Sequence, residues 1–271
     1  METFRDWGRT KSALRQAFRG QGREDRIEFV MGFLPALLER CGEASQGRTA
    51  VLRLARAWVA QSGRPSLYAP SCPDYGHDGA HYTFRGLGRG VSLLAERHLD
   101  FLASLQGLVP GGLDVSVLVA DQEVQDAEIV RSLGLTVTEF SARVADTLQA
   151  THTRVLSLGW RAEFMTSVMP GLRLAEEQCM GELLEHPVHR ERLQRDAIGR
   201  QFLYASINPL MTAAEMVRRT ARVAAQYLAL GRYAAEANVV VYNHTTLNLA
   251  WYKQTEVGLL HNPVCVYGSK K

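Results

Sequence analysis

The sequence predicts an α/β protein with a Rossmann-like, mostly parallel sheet, flanking helices and a helical N-terminal layer. Three observations carry the prediction. Residues 1–64 show apolar periodicity of the helical type and no strand pattern. Ser66 to Ala120 reads as strand, helix, strand, a βαβ unit whose strands run parallel through a right-handed crossover. A third strand-like run, Asn238 to Tyr242, follows the longest helical segment. The 271 residues suffice for one large core, so 1–64 and 65–271 are read as the layer and core of a single domain.

In chain order, residues 3–19 and 25–42 are predicted helices, because Phe29, Phe33, Leu37 and Leu38 recur at helical spacing with Arg and Glu opposite. Pro35 predicts a kink or break in the second. Arg48 to Gln61 is a third helix, closed by Gly63. Ser66 to Ala69 is the first strand. A polar, Gly-rich loop then leads into a helix over Val91 to Leu105, with Leu94, His98, Leu102 and Leu105 on its apolar stripe. Pro110-Gly111-Gly112 turns the chain into Leu113 to Ala120, a buried β-branched strand. A short helix over Ile129 to Leu133 ends at Gly134. Thr136 and Glu139 have capping-box spacing and predict a helix over Val137 to Leu156. Trp160 to Met169 is ambiguous between strand and helix and is expected to be irregular, ended by Pro170-Gly171. Helices follow over 172–185 and 188–205. Thr212 caps the longest helix, 213–236, with Met216, Val217, Ala221, Ala224 and Leu228 turned inward. Val264 to Tyr267 is expected as a last strand at the sheet edge.

No apolar run approaches the roughly 18 residues that a membrane-spanning helix needs. Met1 to Trp7 lacks the apolar core of a signal peptide, so a cytoplasmic location is expected. Cys41, Cys72, Cys179 and Cys265 are widely spaced, without the Cys-x-x-Cys pattern of a zinc site or the density of a disulfide framework. The net charge is only +3 but is unevenly spread. Residues 1–64 carry 12 Lys/Arg against 7 Asp/Glu, residues 65–188 carry 8 against 16, and residues 189–232 carry 8 against 3. Basic helical regions thus flank an acidic middle, a pattern compatible with a nucleic-acid face and equally with solvated arginine-rich helix surfaces.

Three predicted strands end in polar clusters: Ser71-Cys72-Pro73-Asp74-Tyr75, Asp121-Gln122-Glu123 and Tyr242-Asn243-His244-Thr245. In a parallel sheet they share the carboxyl edge, where open α/β folds hold ligands. Ser71 and Cys72 are the nucleophile candidates at a strand terminus, as acyl transfer requires. They serve equally well as residues that only turn the loop. The Gly-x-Ser-x-Gly elbow of hydrolases is absent. Asp121 and Glu123 suit a ribose hydroxyl, a substrate amine or Mg²⁺, or simply an acidic helix start. His244 is the histidine best placed for proton relay. Gly86, Gly88 and Gly90, with Arg85 and Arg89, would suit a phosphate at the start of the following helix. About 16 residues separate them from the strand, so the dinucleotide fingerprint is absent. His77 and His81 are four apart, but Gly76 and Gly79 argue against a helical metal pair, and no metal or cofactor is expected.

Ser71 directly after the first strand, the arginine-rich helices, and Val239 to His244 running on to Lys253-Gln-Thr-Glu256-Val-Gly258 together resemble the tRNA-dependent cyclodipeptide synthases. Ser71-Cys-Pro-Asp74 more loosely resembles a turn of the isocyanide synthases. The Asn-Ser-Tyr surroundings of the synthase serine are replaced by Pro-Ser-Cys-Pro, and Gly231 follows Tyr227 where that family has an acid. The resemblance implies a Rossmannoid transferase that acts on an amino acid or aminoacyl-tRNA in natural-product biosynthesis. Ser71 or Cys72 would meet the acyl carbon, and Tyr242 and His244 would relay protons. Asp74, Tyr75, Asp121, Glu123 and Asn243 would contact the substrate. Arg85, Arg89, Arg218, Arg219 and Arg222 would meet tRNA phosphates. Two alternatives stand beside it: a small-molecule enzyme that uses no tRNA, and a non-catalytic RNA-binding module that needs Arg218, Arg219 and Arg222 but neither Asp121 nor His244.

Overall fold

The computed structural model describes residues 7–40, 48–61, 63–71, 75–77, 82–84, 93–237 and 239–241. Most of these residues are helical. Strands β1 (Ser66–Ser71), β4 (Asp114–Val119), β5 (Arg161–Phe164) and β6 (Val240–Val241) are hydrogen-bonded in the order β5-β4-β1-β6, and β2 (Tyr75–His77) pairs separately with β3 (Tyr82–Phe84). The α/β class is as predicted. The strand expected at 264–267 lies outside the described residues. The described residues form two compact units, those within 1–69, 97–116 and 231–241, and those within 70–96 and 117–230.

In the first unit, α1 (Trp7–Ala17), α2 (Glu24–Arg40) and α3 (Arg48–Ala60) form the predicted helical layer. Leu14, Ile27, Leu34 and Val59 are buried among them, and the Phe33 ring lies 5.3 Å from Phe29 and 5.2 Å from Trp58. The Arg26 Nε donates to the Trp58 carbonyl at 3.0 Å, giving a carbonyl in the last turn of α3 the partner it lacks within its helix. Pro35 lies inside an unbroken α2, so of the expected kink or break the break does not occur. The proline costs one backbone bond and crowds the Met31 carbonyl. Burial of Phe33 and Leu34 beside it offsets that cost.

The same unit holds the first residues of the parallel strands. Leu67 stands opposite Val240 and Tyr68 opposite Val241 in a parallel β1–β6 pair, and the Asp114 N–H donates to the Pro65 carbonyl at 2.8 Å. Ahead of β4, Gly111 and Gly112 both have positive φ, 78° and 75°. A Cβ on Gly112 would also stand 2.9 Å from the Gln106 amide, whose oxygen accepts the Leu113 N–H. The turn therefore requires glycine twice over. It follows α4 (Leu93–Gln106), which buries Leu99, Leu102 and Leu105; the predicted start at Val91 lies outside the described residues.

In the second unit the carboxyl ends of β1 and β4 run side by side, with the Ala120 N–H donating to the Ser71 carbonyl at 2.9 Å. With the Asp114–Pro65 bond, this fixes a parallel register in which odd-numbered β1 residues turn their peptide groups toward β4. The missing N–H of Pro70 thus points away from β4, which lets β1 extend two residues past the predicted Ala69. β4 is buried from Val115 to Val119, as a covered parallel strand should be. Its Val119 packs with Val130, Phe140 and Val144.

Beyond β4 come a 3₁₀ turn (Gln122–Gln125), α5 (Ala127–Ser132) and α6 (Val137–Leu156). The capping box before α6 is present, with Glu139 N–H donating to Thr136 Oγ1 at 3.2 Å and Thr136 N–H to the Glu139 carboxylate at 2.8 Å. Residues 160–169, expected to be irregular, instead form β5 and the one-turn α7 (Met165–Val168). β5 is a four-residue edge strand that packs against α6; Arg161, Ala162, Glu163 and Phe164 alternate polar and apolar, over too short a run to separate strand from helix. The β2–β3 hairpin corrects the reading of that stretch as loop. Its Tyr75, Tyr82, Thr83 and Phe84 are strand formers, masked in the sequence by the glycines between them.

The helix expected over 188–205 is two, α9 (Pro187–Gly199) and α10 (Gln201–Ile207), broken at Arg200 with φ −112° and ψ 10° after Gly199. α8 (Leu172–Glu185) and α11 (Ala213–Glu236) match the prediction. Thr212 and Glu215 cap α11 reciprocally. The buried stripe of α11 includes Thr220, Ala221, Ala224 and Leu228, whereas Met216 and Val217 are half-buried.

Candidate functional site at the carboxyl end of β4

The chain leaves β4 through Ala120, and the eight residues from Asp121 to Glu128 supply four carboxylates: Asp121, Glu123, Asp126 and Glu128. Each has a different environment. Asp121 is an anchor, accepting from the Thr166 N–H at 3.1 Å on one oxygen and from the Thr166 hydroxyl on the other. This ties the β5–α7 corner to the end of β4. Beside it the Gln122 amide reaches the Met165 sulfur, and Arg173 donates to Gln125 at 2.6 Å.

Asp126 caps α5, accepting from the Glu128 N–H at 3.1 Å and the Ile129 N–H at 3.2 Å. It also receives a two-pronged guanidinium, Arg219 Nη1 on Oδ2 at 2.8 Å and Nη2 on Oδ1 at 3.2 Å. This is the bidentate geometry that suits Arg to carboxylate. The same Nη2 also meets Glu128, whose other oxygen accepts from the Asn208 amide at 3.2 Å. Arg222, three residues further along α11, stands 3.9 Å from Asp126 and 3.6 Å from Glu176 of α8.

The electrostatics follow from this arrangement. Burial works against the charge on Asp126, but the Arg219 hydrogen bonds and charge, with the two α5 N–H groups, hold its carboxyl below the usual range. Burial opposes charge on Arg219 too, and Asp126 and Glu128 outweigh it and raise its pKa. Glu176 is shifted upward, chiefly by burial, against the pull of Arg222, a Gln226 hydrogen bond and Arg173. Glu123 is the unbalanced member. Burial and the adjacent Asp126 push its carboxyl up to about 7, with Arg219 opposing and Glu176 reinforcing. Among the described residues its carboxyl has no hydrogen-bond partner. A carboxyl that titrates near neutrality in a strand-end cluster is suited to accept and return a proton.

Of the residues singled out in the sequence, Ser71, Tyr75, Asp121, Glu123, Arg218, Arg219 and Arg222 are described. Cys72, Asp74, Arg85, Arg89, Tyr242, Asn243 and His244 lie outside the described residues. Ser71 is the last residue of β1, only 3% exposed, and its carbonyl is in register with Ala120. Tyr75 begins β2, opposite Phe84. Arg219 meets Asp126 and Glu128, and its charge lowers the pKa of Glu123, whereas Arg218 is exposed.

Sequence reasoning missed the roles of Asp126, Glu176 and Thr166. Asp126 was legible as the polar residue just ahead of an apolar helix pair. Glu176 was legible as an acid in the apolar row Leu172, Glu176, Cys179 and Leu183. Among the described residues, no group of three or more His, Cys, Asp or Glu side chains is placed to hold a metal ion, and no helix is long and apolar enough to cross a membrane. Comparison with protein-family models, with curated proteins and with solved structures returned no match.

Proposed function

We propose that the chain is a Rossmann-like acyltransferase that joins an activated amino-acyl group to an amine, with its site at the carboxyl edge of β1 and β4. The observation that carries this reading is the in-register exit of the two strands, the Ala120–Ser71 bond of 2.9 Å. It sets the Ser71 end of β1 beside the acidic segment that begins at Asp121. Open α/β sheets hold substrates at such an edge.

In the proposed reaction the amine nitrogen attacks the acyl carbon of an amino-acyl ester or thioester. The C–N bond forms, the C–O or C–S bond breaks, and the Glu123 carboxylate takes the proton from nitrogen and returns it to the leaving oxygen or sulfur. The Ser71 end of β1 backs the acyl group. A free amino-acyl ester or thioester is favoured as donor, because Arg219 and Arg222 are engaged by carboxylates and so are poorly disposed toward tRNA phosphates. A donor carried on tRNA is the second reading, favoured by the exposed Arg218 on α11.

Mass spectrometry of amide products tests both. Purified chain is given amines with amino-acyl thioesters in one arm and with aminoacyl-tRNAs in the other. An amide should form in the thioester arm at a rate that rises with pH and levels off above about 7, where Glu123 is ionised. Glu123→Gln should lower the rate by at least about a hundredfold. Product only in the tRNA arm selects the second reading, and no amide in either arm overturns the acyltransferase.

A further inference from the structure

We propose that the exposed face of α9 is a self-complementary surface through which two copies of the chain pair about a two-fold axis. It uses none of the residues placed in the site at the end of β4.

α9 turns one face inward, where Leu193 and Ala197 are buried. At about 100° per residue, Glu191, Arg195 and Ile198 fall within about 80° of Val188, on the side opposite Leu193. Val188, Glu191, Arg195 and Ile198 thus form one outward stripe. All four are at least half exposed, the valine 51% and the isoleucine 65%. Exposed apolar side chains are ordinary when they occur singly, so hydrophobicity alone names no occupant. The order of the stripe does.

Along the helix that order is apolar, acidic, basic, apolar, at spacings of three, four and three residues. Reversed, it reads apolar, basic, acidic, apolar at the same spacings. An antiparallel second copy, with the two-fold axis opposite Leu193, therefore sets Val188 against the partner's Ile198 and Glu191 against the partner's Arg195, each contact made twice. Alternating steps of three and four are also those of the seam along which two helices pack at about 20°.

Within one copy Arg195 stands 3.5 Å from Glu191, an exposed pair that water leaves with little net value. Between two copies the four charges alternate in sign around the axis, and the apolar contacts on either side shield them from water. Phe202, 72% exposed and four residues after Ile198, enlarges the apolar end that each copy contributes. An anionic lipid surface suits the stripe less well, because Glu191 would face its headgroups. Val188 to Ile198 spans only about 15 Å, so the dimer should be weak and concentration-dependent.

Sedimentation velocity of the full chain over roughly 1 to 100 µM tests the pairing. The wild type should pass reversibly from one chain to two across that range. Glu191→Arg and Arg195→Glu each place like charges across the axis and should raise the dissociation constant at least about tenfold. Both reversals in one chain restore the alternation and should return it to within about threefold of the wild type. Misfolding cannot produce that restoration. Ile198→Asp sets an unpaired charge against the partner's Val188 and should leave the chain monomeric throughout. A wild type that stays monomeric at about 100 µM overturns the proposal, as do single reversals without effect or a double reversal that fails to restore the dimer. A monomer that co-sediments with phosphatidylserine-containing vesicles through Ile198 and Phe202 also overturns it and assigns the face to a lipid surface.

Discussion

Arg15 and Arg219 each answer two carboxylates, and the two sites differ in almost everything else. On the helical layer, Arg15 reaches Glu24 at 3.2 Å and Glu28 at 3.0 Å with all three side chains at least half exposed. At the β4 end, Arg219 is 18% exposed and Asp126 12%. Water and salt screen the first set, which spans α1 and α2 over an apolar core that already holds them together. The second set carries its full electrostatic consequence: it sets the protonation of its members and fixes the cap of α5. Two clusters with the same residue types therefore do different work, and solvent exposure separates them.

The largest expected effect tests that separation. Arg219→Gln removes the partner of a partly buried carboxylate that also caps a helix, and should destabilise the chain by about 3 kcal/mol in urea unfolding. Loss of less than about 1 kcal/mol would place Arg219 with the surface pairs instead.

Next in size is the pH dependence that Glu123 imposes. Its folded-state value of about 7 lies above the ordinary 4.5, so the folded chain holds a proton that the unfolded chain has released between these limits. The associated stability is fully present below about pH 4.5 and lost as pH rises through about 7, with an upper bound of about 3 kcal/mol. Asp126 acts in the opposite sense: its lowered value gives stability above the ordinary aspartate range that is lost as pH falls. Glu123→Gln isolates the first contribution. The variant should show no decline in unfolding free energy from about pH 5 to 8 where the wild type declines, and identical curves would remove Glu123 from the cluster's energetics.

What the sequence revealed divides along the same line. Features set by neighbours a few residues apart were legible: the Thr136–Glu139 capping box, the glycine turn before β4, the β-branched run that became β4, and the acidic exit at Asp121 and Glu123. α2 was nearly legible, but a local rule about Pro35 gave way to the burial of Phe33 and Leu34. β5 was not, because four residues that alternate polar and apolar are too short a run to decide a period, and the packing of the strand on α6 decides it instead. Least legible was the cluster itself. Asp126 and Arg219 lie 93 residues apart, and nothing near Arg219 distinguishes it from Arg218, which the same helix leaves exposed. Rotation by one residue on α11 decides between a solvated arginine and a buried fork, and only the packing of α5, α8 and α11 sets that rotation. Glu176 marked the place in advance, since an acid in an apolar helical row requires a cationic or hydrogen-bonded partner from elsewhere.

The smallest expected effect completes the comparison. Arg15→Gln removes a guanidinium that meets Glu24 and Glu28, yet Lys11 remains 2.6 Å from Glu28 and the Phe33–Trp58 packing beneath is untouched. The released carboxylates are already hydrated, so nothing buried is left without a partner. The urea midpoint should equal that of the wild type within error at moderate salt, and any small difference at low salt should vanish as salt is added. A clear loss of stability that persists in high salt would mean that the helical layer depends on its surface charges. Exposure would then no longer distinguish Arg15 from Arg219.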